Sequence, residues 1–241
     1  MKNYRNLLTA LALGVIFLTF CSAKIFDKGF VPMFDGKTLN GWEGDPKYWR
    51  AENGEIIGEI TPETIIKVNT FLIWKGGHPA DFEIKVSYRI SAKGNSGVNY
   101  RSVRVDSLPY ALKGYQADID GKDKYNLGYP RYSGQNYEER GRQFLALRGQ
   151  RTVIDANGKT RVTDSLGTKE ELLKSINYDG WNDLHIIAKG NNLKHYINGK
   201  LMSEVTDNDP AGLKMDGLIG VQVHQGPPMK IEFKDFMIKI L

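Results

Sequence analysis

The chain has 241 residues, a formal charge of +5 and one cysteine, Cys21. A lone cysteine excludes an intramolecular disulfide and a cysteine-based metal cluster, so the fold must rest on its hydrophobic core. The basic residues are scattered without a run or a basic helix, which excludes the clustered Lys and Arg that phosphate backbones require, so no nucleic-acid partner is expected.

Residues 1–20 read as an export signal. Lys2 and Arg5 form a basic start, and Leu7 to Phe20 runs for about 14 uncharged residues, short for a bilayer span and right for a signal core. Leu18-Thr19-Phe20-Cys21 resembles a lipobox, with Phe20 departing from the small residue usual before the lipidated cysteine. Cys21 is therefore the expected lipidation site, and a lipid anchor the only expected membrane contact. A cut after Ala23 and an uncleaved anchor are the alternatives. Cleavage before Cys21 leaves 221 residues and a charge of +3. These divide into a linker over 21–29 and one domain over 30–241, exported to the periplasm or outer membrane.

Past the leader, alternation with period two dominates. Strands are expected at Tyr48–Ala51, Glu55–Ile60 and Thr70–Trp74. Asp81–Ile90 follows, with every apolar residue at an even number, as one buried and one wet face require. His78 falls in the turn before it and is expected to be exposed. Next come Gly97–Arg101 and Gly114–Ile119.

Lys122 to Arg142 is the longest stretch without clear periodicity. It carries Tyr125, Tyr129, Tyr132 and Tyr137, which suits either stacking on sugar rings or pinning of the loop to the domain. Glu138 and Arg140 lie in the same stretch and join the candidates.

Strands are then expected at Phe144–Leu147 and Thr152–Ile154. Thr168 to Glu171 has the form of a capping box, with Leu172, Leu173 and Ile176 giving one short helix an apolar stripe. Trp181–Ala188 is again a strand. Leu193–Ile197 and Lys200–Val205 flank Asn198-Gly199, a pair that accepts the positive φ angles of a tight hairpin turn. His185 and His195 sit within these strands and read as structural. Leu218–His224 precedes a last strand over Lys230–Leu241, whose apolar parity switches at Lys234-Asp235 and predicts a bulge. Many short strands, turn residues and one helix together predict an all-β, single antiparallel β-sandwich of jelly-roll type.

Parity also locates candidate polar rows. The odd residues of 115–120 are apolar, so Gln116, Asp118 and Asp120 share the other face. By the same argument Gln222 pairs with His224, and Asn99 with Arg101. These rows lack lysine and are rich in groups that make directed hydrogen bonds. In one sheet they would floor a groove for a hydroxyl-rich ligand; the alternative is three unrelated wet faces. His224, at a strand end beside Gly226-Pro227-Pro228, is the candidate general base. No histidine pair has metal-ligand spacing and no cofactor is expected. Asp118, Asp120 and Asp123 leave room for a structural cation, without an EF-hand pattern.

Several motifs resemble one family. Phe34-Asp35-Gly36-Lys37-Thr38-Leu39-Asn40-Gly41-Trp42 is similar to the opening signature of the 3-keto-disaccharide hydrolase domain. Trp49 to Gly58, Asp81-Phe82-Glu83, Gly94 to Arg101, Trp181-Asn182, Ile197-Asn198-Gly199 and Gly217 to His224 follow in that family's order. The resemblance covers Phe30 to Leu241 and implies the concanavalin A-like lectin/glucanase fold. Relatives carry Gly-x-Glu-x-Gln where this chain has Gly114-Tyr115-Gln116-Ala117-Asp118, so Asp118 is the expected substitute for the family's acid.

The resemblance further implies cleavage of glycosides oxidised at C3, with 3-keto-disaccharides or 3-keto-glucosides as substrates. The ketone acidifies C2–H, and the resulting carbanion expels the group on C1, leaving a 3-keto-2-hydroxyglucal that water can later hydrate. A base, enolate donors and an acid suffice. His224 or Asp118 is cast as base, Arg101 and Gln222 as donors, and Tyr137 or Glu138 as acid. Asn99, Gln116, Asp120 and Arg140 complete the expected sugar contacts. A non-catalytic carbohydrate-binding domain is the competing reading, because fold does not fix function.

Overall fold

The alternating runs close into two stacked sheets. A computed structural model describes residues 28–122 and 132–241. The export signal, Cys21, Asp123, Tyr125 and Tyr129 lie outside the described residues. In chain order the strands are β1 (Val31–Pro32), β2 (Trp42–Glu43), β3 (Trp49–Glu52), β4 (Glu55–Ile60), β5 (Thr70–Trp74), β6 (Phe82–Ile90), β7 (Asn95–Arg104) and β8 (Leu112–Asp120). Then come β9 (Asn136–Glu139), β10 (Gln143–Ala146), β11 (Gln150–Ile154), β12 (Thr160–Ser165), β13 (Asn182–Lys189), β14 (Asn192–Ile197), β15 (Lys200–Asp207), β16 (Leu218–Val223) and β17 (Met229–Ile240). A ten-stranded sheet runs β12-β11-β15-β14-β13-β6-β17-β4-β3, with β1 paired to β17 off this path. A seven-stranded sheet runs β10-β9-β8-β7-β16-β5-β2. Pairing is antiparallel apart from β11 with β15. Among the described residues, no helix is long and apolar enough to cross a membrane.

The core lies between the sheets. Phe82, Ile84, Val86 and Tyr88 of β6 are buried and face Val98 and Tyr100 of β7, Tyr115 and Ala117 of β8, and Val221 and Val223 of β16. Each buried aliphatic or aromatic side chain contributes roughly 1.5–3 kcal/mol. Truncating Phe233, wholly buried, to alanine would cost about 3–5 kcal/mol.

The expected special positions take the shapes their residues favour. Asn198 and Gly199 have φ of 48° and 75° between β14 and β15, as a type I′ turn demands. The register of β17 shifts between Lys234 and Met237, with Asp235 at φ 53°. Ile231 and Phe233 before the bulge and Phe236 and Ile238 after it are therefore all buried. Helix α1 (Lys169–Leu173) opens with the expected box: Thr168 Oγ1 accepts from the Glu171 amide at 3.2 Å, and Glu171 Oε2 accepts from the Thr168 amide at 3.0 Å. It stops short of Ile176, which is nevertheless buried.

Three features depart from expectation. Strand β12 is exposed along its whole length, so it has no apolar face to betray it. Strand β9 forms inside the stretch read as an irregular loop. A bulge also breaks the parity of β7. Its register with β8 shifts between Tyr100 and Val103, and Arg101 adopts φ 46°. Gly217 is required there: at φ 143°, a β-carbon would meet the Arg101 carbonyl carbon at 2.6 Å.

A polar seam crosses the core. His195 Nδ1–H donates to the Gln135 carbonyl at 3.1 Å, which leaves Nε2 to accept from the Tyr100 hydroxyl at 2.8 Å. Asn136 Nδ2 donates to the Tyr100 hydroxyl at 3.3 Å. Burial pushes the His195 imidazole down to about 4, so it is a neutral core residue and not a surface titrator.

A candidate active-site cleft on the seven-stranded sheet

The side chains of β7, β8 and β16 that point away from the core gather on the outer face of the seven-stranded sheet. Gln116 lies opposite Asn99 on one side and Tyr137 on the other. Asp118 lies opposite Gly97, and the Gln116 side chain covers that glycine: a β-carbon there would meet Gln116 Cγ and Cδ at 2.6 Å. Gln116 Nε2 donates to Asp118 Oδ1 at 2.6 Å. A cleft of about 440 Å³ opens above them, with Asn69, Asn95, Tyr137, Glu139, Arg140 and His224 around it.

Of the expected residues, the fold brings Gln116, Asp118, Tyr137, Arg140 and His224 together at this cleft. Gln222 lies beneath, wholly buried, and its Nε2 donates to Glu139 Oε2 at 3.4 Å. Asn99 is buried in the same layer, and neither of its amide atoms has a protein partner. Gln116 Oε1 and Gln222 Oε1 are in the same state. His224 sits at the rim: its amide donates to the Asn95 carbonyl at 3.3 Å, and its Nδ1 contacts the Gln225 carbonyl.

Five expected residues do not line the cleft: Asn99 and Gln222 are buried beneath it, and Arg101, Asp120 and Glu138 are engaged elsewhere. The β7 bulge turns Arg101 into the protein, where it donates to the carbonyls of Ala80 (2.9 Å), Gly190 (2.7 Å) and Lys214 (3.1 Å) and pairs with Asp81. It fastens three loop ends instead of meeting a ligand. Asp120 accepts from the amides of Tyr132 and Ser133 at 3.0 and 2.9 Å and from the Ser133 hydroxyl at 2.8 Å. It anchors the chain as it re-enters toward β9. Glu138 faces the interior from β9 and pairs with Arg142, which also reaches Asp207 (2.7 Å) and Asp209 (3.1 Å).

Sequence reasoning missed Asn69, Asn95 and, above all, Glu139. On β9, Tyr137 and Glu139 alternate with Asn136 and Glu138, so the first pair meets the cleft and the second the interior. Tyr137 was already a candidate, and two residues onward along a strand returns to its face. Burial pushes the Glu139 carboxyl above the usual carboxylate range, against the opposing pull of Asn69, Arg140 and Gln222. Asn69 Nδ2 donates to Glu139 Oε1 at 3.1 Å, and Arg140 Nε lies 3.8 Å from the same oxygen. Burial likewise raises the Tyr137 phenol, which therefore stays protonated at neutral pH.

The remaining histidines lie elsewhere. His78 is exposed. His185 contacts Glu83 at 2.9 Å on the outer face of the ten-stranded sheet. Among the described residues, no group of three or more His, Cys, Asp and Glu side chains could hold a metal ion.

The fold and the cleft define a lectin-type β-sandwich carrying a polar groove on its smaller sheet. The chain belongs to the 3-keto-alpha-glucoside-1,2-lyase-like domain family, whose model matches residues 29–239. A candidate glycosyl hydrolase from Parabacteroides distasonis superposes with a TM-score of 0.57 at 22% identity, covering 88% of this chain and 94% of that one. A second from the same organism gives 0.54 at 18% identity, covering 88% and 99%. A Bacillus subtilis protein of unknown function with a galectin-like fold gives 0.53 at 10% identity, covering 84% and 90%. At these identities the structural likeness concerns the fold. No curated protein matches the chain. Family and fold together mark a carbohydrate-active type of domain.

Proposed function

We propose that the cleft cleaves 3-keto-glycosides by proton abstraction and β-elimination. The observation that carries this reading is Glu139: a desolvated carboxylate, raised in pKa and turned toward a cleft of hydroxyl-binding side chains. A carboxylate removed from water is a stronger base, as abstraction next to a carbonyl requires. Glu139 takes the C2 proton, and the electron pair moves into a C2–C3 enediolate. Arg140 supplies the positive charge for its oxygen, the role first expected of Arg101. The pair then forms the C1–C2 double bond and the C1–O bond breaks. Tyr137, still protonated, gives its proton to the departing oxygen. The products are 3-keto-2-hydroxyglucal and the free alcohol, and addition of water across the new double bond completes a net hydrolysis. Asp118, oriented by Gln116, and His224 at the rim hold the sugar hydroxyls, with His224 as the second candidate base.

The test uses 3-keto-trehalose and follows the enone absorbance of the glucal. Glu139→Gln should lose about 10²–10⁴-fold in kcat, whereas Glu138→Gln should act mainly on stability. Full activity in Glu139→Gln with loss in His224→Ala would move the base to His224. The amide-rich lining of Asn69, Asn95 and Gln116 also suits a second reading, a sugar-binding domain without catalysis. Tight binding of unoxidised glycan with no turnover of any 3-keto-glycoside would select it. In either case the domain is proposed to be exported and lipid-anchored at Cys21, so Cys21→Ala should shift it from the membrane to the soluble fraction.

A further inference from the structure

The cleft is chemically lopsided. Its floor is amide and carboxylate, but one side is an aromatic wall of which the elimination chemistry uses only the Tyr137 hydroxyl. Phe144 on β10 stacks on Tyr132 with centroids 5.8 Å apart and planes at 20°, and meets Tyr137 edge-on at 5.2 Å. Phe144 lines the cleft and is 43% exposed, and Val68 lines it also, 39% exposed. A bare phenyl ring held open in an otherwise polar site offers apolar area and no hydrogen bond.

Register places this wall relative to the chemistry. Asn99, Gln116, Tyr137 and Phe144 are successive cross-strand partners over β7, β8, β9 and β10. Adjacent strands lie about 4.8 Å apart, so Phe144 is roughly 10 Å from Gln116 measured across the sheet. That is room for one ring over the Gln116–Asp118 floor and a second over Phe144. Tyr137, the proton donor to the departing oxygen, stands between the two. The wall therefore begins where the leaving group departs.

We infer that the Tyr132–Phe144–Tyr137 wall is a leaving-group subsite selective for a flat aromatic aglycone over a second sugar. A sugar could lay a C–H face on the wall, but its hydroxyls would lose water without matching partners on Phe144 and Val68. A planar aryl ring gains stacking at no such cost. The inference deepens the elimination reading, and its test separates the two.

Phenyl and methyl glucosides of one anomer, both unoxidised and so resistant to elimination, are titrated calorimetrically into the intact protein. Phenyl should bind about tenfold tighter than methyl. Phe144→Ala should abolish that preference and Phe144→Tyr should keep it. Because Phe144 is half-exposed, neither change empties the core, and a thermal melt on each variant checks the fold. Equal binding of the two ligands by the wild type would overturn the subsite, as would a preference that survives Phe144→Ala. Turnover of 3-keto-glycosides without a phenyl preference defeats the subsite alone. A phenyl preference lost in Phe144→Ala, with no turnover of any 3-keto-glycoside, leaves the subsite standing and defeats the elimination.

Discussion

His195 makes the stability of this domain depend on pH in a calculable way. Its imidazole ordinarily titrates near 6.5, and burial pushes it down to about 4 in the fold. The folded value lies below the unfolded one, so the neutral ring contributes its full stabilisation above pH 6.5. As pH falls the unfolded chain takes up a proton that the folded core refuses. Each pH unit between 6.5 and 4 costs about 1.4 kcal/mol, or about 3 kcal/mol over the whole window. That is a sizeable share of the roughly 5–15 kcal/mol that holds a typical domain. Carboxylates titrate in the same window, so wild type must be compared with His195→Gln, which cannot charge. Urea denaturation at pH 7.5, 6.5, 5.5 and 4.5 supplies the free energies. At pH 7.5 the variant should be the less stable, having lost the bond to Tyr100. The gap should narrow steadily and shrink by about 2–3 kcal/mol by pH 4.5. A gap that stays constant across the four pH values would refute the buried neutral imidazole.

Three further outcomes are expected. kcat/KM on a 3-keto-glycoside should rise with pH through an inflection above the usual carboxylate range, because the raised Glu139 must ionise to act; Glu139→Gln should remove that limb. Arg142→Met leaves the wholly buried Asp207 carboxylate and the Glu138 carboxylate without their cation, and should lower the unfolding free energy by about 3 kcal/mol in chemical denaturation. Asp235→Val places a β-branched residue at φ 53° and should cost about 1–2 kcal/mol by thermal melt, whereas Asp235→Gly should be close to neutral.

Much of the fold was legible because apolar alternation survives wherever one face is buried and the other wet. β6, the β14–β15 hairpin and the bulge in β17 follow from that rule, with Asn198-Gly199 and Asp235 marking the turns. The rule fails where a backbone kink intervenes or where inward positions are polar. Arg101 follows Tyr100 in a left-handed conformation, so counting by twos put its side chain on the wrong surface. β9 reads Asn-Tyr-Glu-Glu and has no apolar inward residue at all. Its interior faces are Asn136, answered by Tyr100, and Glu138, answered by Arg142. Partners so far away in the chain could not be inferred from local composition, and the strand passed for a loop. The carboxylate facing the cleft was missed for that reason, by one position.

The short strand that carries Glu139 has a consequence for how this domain can vary. Two adjacent glutamates perform opposite duties, one docked against an arginine inside and the other offered to ligand outside, and only the phase of the chain assigns them. Ser133, docked on Asp120, fixes where that phase begins. A single residue gained or lost between Ser133 and Asn136 would exchange the two acids. Such an insertion would silence the cleft and unseat Arg142 in one event, so relatives should keep the spacing from Ser133 to Glu139.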